Sequence, residues 1–135
     1  MEKEKITKEL LQIADTVKDL TMQMRNLERE RRGLSEKYQE IGYKYYKDIC
    51  TAVDKKGKPL YSNEDRRRRE VSHRLSQDEQ ALQIREQMKH YDEQIDEIVA
   101  EINRLQDRKL ILLVSLGAPL PQDITEGEEK KKYIM

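Results

Sequence analysis

The chain has 135 residues, with 27 Lys or Arg set against 27 Asp or Glu; 40% of residues are charged, 36% are hydrophobic, and there is no Phe or Trp. The length suits one domain, but so little apolar material excludes a globular core that buries most of the chain. It leaves either disorder or a thin helical protein with a narrow apolar seam, and the zero net charge does not by itself call for nucleic acid or an anionic membrane.

The opening MEKEKITKELLQ has no apolar run of signal-peptide type. The longest apolar stretch, Leu110 to Val114, is far too short to cross a bilayer. A single cysteine, Cys50, forms no internal disulfide, so a reducing, cytoplasmic location is expected, with no membrane partner.

The first predicted element is a helix over about residues 2 to 52. From Ile6 to Tyr45 the seam positions step alternately by four and three, and eleven of these twelve positions are apolar. Disordered chains do not hold that phase for almost six heptads. At about 1.5 Å per residue the helix would be roughly 75 Å long. The exception in the seam is Arg31, whose stem is expected to lie along the seam while its head reaches Glu86 or Glu79. A register-fixing role for Arg31 is the alternative.

A turn over residues 53–62 follows, with its tip at Gly57 to Pro59. It is too short to hold a β-hairpin between the helices. Ser62, followed by Asn63, Glu64 and Asp65, reads as an N-cap with acidic residues in the first turn. The second predicted helix covers about residues 63 to 116, with a seam from Met88 to Leu116. Val71, Leu75 and Leu82 are out of phase with that seam, which places a slip in the heptad count around Leu82 to Met88. Gly117 and Pro119 end the helix. Two helices of similar length joined by a short connection make antiparallel neighbours. The expected fold is therefore all-α: a long antiparallel two-helix coiled-coil hairpin over residues 1–116, then a flexible tail over 117–135.

Near the termini the second helix is apolar on nearly every side. A two-stranded seam covers only one stripe, so Leu10, Leu11, Ile111, Leu113 and Val114 form a candidate self-association surface. A homo-oligomer, with a dimer favoured, would cover it, as could Leu120, Ile124, Tyr133 and Ile134 of the tail.

The charges are segregated. Residues 44–74 hold ten basic and five acidic residues, whereas 75–101 hold two basic and eight acidic. Lys55, Lys56, Lys58, Tyr61, Arg66, Arg67, Arg68 and Arg69 are the candidate tip contacts for a protein partner or for nucleic acid. Four consecutive helical residues spread over roughly 300°, so the arginines form a collar, with Arg68 placed over the seam. Tyr43, Tyr45 and Tyr46 lie in the same zone and could either stack on bases or pack on arginine stems. Asp78, Glu79, Glu86, Asp92, Glu93, Asp96, Glu97 and Glu101 make a candidate acidic face.

No catalytic constellation, metal-ligand spacing or cofactor motif emerges. His73 and His90 have no companion at ligand spacing, GKP lacks the rest of a phosphate loop, and Cys50 falls too far from His73 for a dyad. The segment DKKGKPLYSNEDRRRREV resembles one found in small coiled-coil hairpin proteins of bacteria and their mobile elements, and that likeness implies a bacterial or phage origin. Similar anatomy occurs in the helical arm of seryl-tRNA synthetases, a likeness of architecture alone. Three roles follow as expectations. The first is a non-enzymatic coiled-coil adaptor or regulator acting by protein–protein contact. The others are a nucleic-acid-binding accessory protein using the basic tip, and an inhibitor of a nucleic-acid enzyme using the acidic face.

Overall fold

A computed structural model describes residues 2–117, and these are all-helical apart from the connections. The helices are α1 (Glu2–Thr51), α2 (Glu64–Gln77) and α3 (Glu79–Ser115). The expected tail lies outside the described residues except for Gly117, as do Pro119, Leu120, Ile124, Tyr133 and Ile134. Among the described residues no helix is long and apolar enough to cross a membrane.

α1 ends within a residue of the expected boundary. It contains no proline, and Glu2 and Glu4 occupy its first turn, where the helix dipole favours negative charge. Gly33 sits in its interior with nothing within 4 Å of where a Cβ would lie. Gly33→Ala should therefore raise stability by about 1 kcal/mol, the difference in helix propensity, with no steric opposition. Urea denaturation of the variant checks this, and an unchanged or lower midpoint would contradict it.

The single second helix expected over residues 63–116 is instead two. The break falls at Asp78, whose backbone is extended (φ −82°, ψ 117°) and whose N–H donates to Leu75 O. The same residue starts α3: its carboxylate accepts from the Ala81 N–H at 2.8 Å, and its carbonyl accepts from the Leu82 N–H at 2.9 Å. One aspartate thus closes one helix and opens the next, a role suited to a short side chain that bonds nearby backbone N–H groups. The break resets the helical phase and accounts for the slip seen in the heptads, upstream of the expected 82–88. Ala81 and Ile84 are buried, while Leu82 stays 43% exposed.

The chain divides into two compact units, Met1–Thr21 with Val99–Met135 and Met22–Ile98. In the first, Ile13, Leu105 and Leu112 form a buried cluster, against which Ile6, Leu10, Val17 and Leu20 pack. Glu9 accepts two hydrogen bonds from Arg108, at 3.0 and 3.4 Å. Gly117, at φ +81°, donates its N–H to Val114 O just past α3, the left-handed C-terminal position that glycine fills without strain.

In the second unit, Ile49, Ala81 and Ile84 are the buried hydrophobics. Arg31 forms a bidentate pair with Asp92, at 2.5 and 3.2 Å, and not with Glu86 or Glu79. Both side chains keep a third or more of their surface in water, so the pair contributes little. The Tyr91 pKa is raised, by the Glu30 carboxylate first and burial second. Gly42 lies against Val71 and Leu75: a Cβ there would be 3.5 Å from the Leu75 side chain. The Tyr45 hydroxyl bonds Asp78, and Tyr46 bonds Glu64. From Arg31 to Tyr46 the partners run overall from Asp92 down to Glu64, though Tyr45 with Asp78 falls out of strict order.

Candidate interaction surfaces

The connection between α1 and α2 is built around one carboxylate. Asp54 Oδ1 accepts from the backbone N–H groups of Lys56 and Lys58, at 2.8 and 2.9 Å. The Asp54 N–H donates to Lys58 O at 2.8 Å, and the Gly57 N–H donates to Asp54 O at 3.0 Å. Gly57 has φ +81°, which a residue with a Cβ rarely adopts. The Leu60 N–H closes the base on Ala52 O at 3.0 Å, and Val53 pairs with Pro59 in a single antiparallel bridge. The linker, expected to be too short for a β-hairpin, holds no strand among the described residues, only this single bridge, and the Asp54 carboxylate holds the turn through backbone N–H groups. The Lys55, Lys56 and Lys58 side chains are exposed and only their backbones are engaged.

α2 begins one residue later than its expected cap. Asn63, and not Ser62, accepts from the Arg66 N–H at 2.8 Å with its side chain. The arginine collar then divides by helical position. Arg67, and not Arg68, is the half-buried member, and its Nε donates to Tyr61 O at 3.2 Å. Arg67 and Arg68 both pair with Glu64, at 3.6 and 3.5 Å; Arg68 keeps 74% of its side chain in water. Arg66 and Arg69 are exposed and in no ion pair among the described residues.

The tyrosines of this zone are largely engaged. Tyr46 donates to Glu64 at 3.0 Å, and hydrogen bonding with Cys50 first and Glu64 second raises its pKa. Tyr45 donates to Asp78, which raises the Tyr45 pKa and holds the Asp78 carboxyl below the usual carboxylate range; the Ala81 N–H adds to the second effect. Tyr61 is half-buried. Tyr43 is 59% exposed, but Lys47 Nζ lies 5.2 Å from its ring centre. Sequence reasoning missed Glu64 and Asp54 as organisers here; each is an acidic residue beside a run of bases, which was the available signal.

Three of the eight residues of the expected acidic face are engaged within the chain. Asp78 caps helices, Asp92 binds Arg31, and Glu101 binds Arg104 at 2.6 Å. Glu101 belongs to the first unit, the other seven to the second. Glu79, Glu86, Glu93, Asp96 and Glu97 remain exposed.

Of the proposed self-association residues, Leu11, Ile111 and Val114 are 64%, 57% and 45% exposed. Leu10 instead packs against the buried cluster, and Leu113 is half-buried. Leu110, at 43% exposed, was not among the expected set. Leu110 and Ile111 each flank Val114 on one side of α3, since they lie four and three residues from it, the spacings that share a face. A shallow, open cavity lined by Lys3, Glu4, Thr7, Lys8 and Leu11 lies on α1. Among the described residues no group of His, Cys, Asp or Glu is placed to hold a metal ion. No protein-family model, curated protein or solved structure matches the chain.

Proposed function

We propose that this chain is a non-enzymatic, cytoplasmic coiled-coil adaptor, an antiparallel helical hairpin interrupted at Asp78, that acts by protein–protein contact and self-associates through its first unit. The observation that carries the reading is the exposure of Leu11, Ile111 and Val114 beside a buried cluster of only three residues. A second copy would supply the apolar cover that so thin a core lacks. The overall fall of partner numbers along α1 supports the antiparallel pairing, and the three-four spacing from Ile6 to Tyr45 supports the coiled coil. The likeness of the turn segment to small coiled-coil proteins of bacteria and their mobile elements fits the same reading.

The mass in solution tests it. Sedimentation equilibrium at micromolar concentrations should give at least two chains per particle. Ile111→Glu combined with Val114→Glu should return it to one chain with helicity kept, since both side chains are exposed within the chain itself. A wild-type mass of one chain at every concentration would sink the self-association.

A further inference from the structure

We infer that the turn of residues 52–60, with the first two turns of α2, binds the phosphate backbone of B-form duplex DNA without reading its sequence. The inference stands apart from self-association and rests on the distribution of charge pairing in the second unit. Of the five acidic residues between 44 and 74, three are already engaged, while Asp48 and Asp65 are exposed and in no ion pair among the described residues. Asp54 accepts backbone N–H groups, Glu64 takes Arg67, Arg68 and Tyr46, and Glu70 takes Arg74 at 3.0 Å. Lys55, Lys56, Lys58, Arg66 and Arg69 are exposed and lack an ion-pair partner among the described residues. Five unpaired cations on a short, internally bonded stretch of chain offer multivalent contact with phosphate oxygens, the dominant source of sequence-independent affinity.

Two features favour duplex DNA over other polyanions. Single strands are gripped by stacking bases on free aromatic rings, but Tyr45 and Tyr46 are hydrogen-bonded to carboxylates, Tyr61 is half-buried, and Lys47 lies near the Tyr43 ring. The connection is a narrow turn closed by one isolated bridge, Val53 with Pro59, and it carries Lys55, Lys56 and Lys58. The major groove of B-DNA is wide enough to admit an element as thick as a helix. The major groove of an A-form RNA duplex is too narrow to enter. Exposed lysine and arginine side chains meet phosphate oxygens, and such contacts position a protein on the duplex without carrying sequence information, so the binding is to backbone.

Fluorescence anisotropy with one labelled sequence, presented as duplex DNA, duplex RNA and single-stranded DNA, tests this on the full chain. Five phosphate contacts give a slope of log K against log salt of about −4.5, so duplex DNA affinity should fall roughly 500-fold between about 50 and 200 mM salt. Lys56→Gln with Lys58→Gln keeps the backbone N–H groups that Asp54 accepts, and should reduce that slope by about 2. Lys3→Gln, Lys5→Gln and Lys8→Gln together change more charge at a different unit and should leave the slope unchanged. Absence of duplex binding at the lower salt would overturn the inference, and so would a slope indifferent to the Lys56 and Lys58 changes. Tighter binding to single strands or to duplex RNA would overturn the assignment to duplex DNA. The sedimentation mass of the same samples is read separately, so failure of DNA binding leaves the self-association standing or falling on its own result.

Discussion

Ile49→Ala is expected to lower the free energy of unfolding by about 3 kcal/mol, within the usual range for deleting a buried isoleucine's outer carbons. Ile49 is 1% exposed, the largest fully buried side chain among the described residues. Its unit buries only Ala81 and Ile84 besides, so few neighbours are available to collapse into the space. Lost transfer free energy and the residual cavity then act together. Urea denaturation followed by circular dichroism would show a lower midpoint at unchanged slope. Met22→Ala, at a residue 54% exposed, serves as the contrast and should move stability by less than about 0.5 kcal/mol. A loss below about 1 kcal/mol for Ile49→Ala would mean that the packing around α1's last turns is not as described.

The second large effect belongs to Asp78. Asp78→Ala removes the acceptor for the Ala81 N–H and the partner of the Tyr45 hydroxyl in one step. The melting temperature should fall by about 5 °C or more, the scale of losing a helix N-cap in a small protein. The pH dependence has a fixed sign. Asp78's folded pKa is lowered, by Tyr45 first and the Ala81 N–H second. Its contribution is therefore present above the unfolded carboxylate value of about 3.9 and is lost as pH falls through the depressed folded value. Tyr45's folded pKa is raised by the same bond. That contribution is present below the unfolded value of about 10 and is lost as pH rises through the raised folded value. Tyr45→Phe should start from a lower stability, lose less of it on acidification because Asp78's folded value then lies nearer its unfolded one, and remove the alkaline loss. A melting temperature of Asp78→Ala equal to wild type at neutral pH would show that α2 and α3 can join into one helix without cost.

How far the residues alone foretold the molecule differs from place to place. The first helix was legible to within a residue because an apolar position recurred at every third and fourth step with no proline to stop it. The same rule stopped one turn short of the largest fully buried side chain among the described residues. From Tyr45 the strict alternation points to Asp48, whereas the buried side chain is Ile49. Near its end the helix packs against α2, which follows a different phase from α3, so the heptad rule no longer applies. The out-of-phase Val71 and Leu75 were the visible sign of this. Their place became clear only with Gly42 lying against them.

The interaction surfaces followed the same division. Composition and spacing determined that the chain is helical, that its apolar residues are few, and that positive charge gathers around Gly57 and negative charge after Leu75. These are properties of local sequence: propensity, periodicity and formal charge act over a few residues. Which charges remain available was decided by tertiary structure. Arg67 rather than Arg68 turned inward because the rotation of α2 is set by Asn63 and by packing, not by the run of four. Asp92 rather than Glu86 meets Arg31, a pairing set by how α3 packs on α1. The caps at Asn63 and Asp78 are local bonds, but the pairings of Tyr45 with Asp78 and of Arg31 with Asp92 join residues distant in the chain, and no pattern within either segment specifies such a pair.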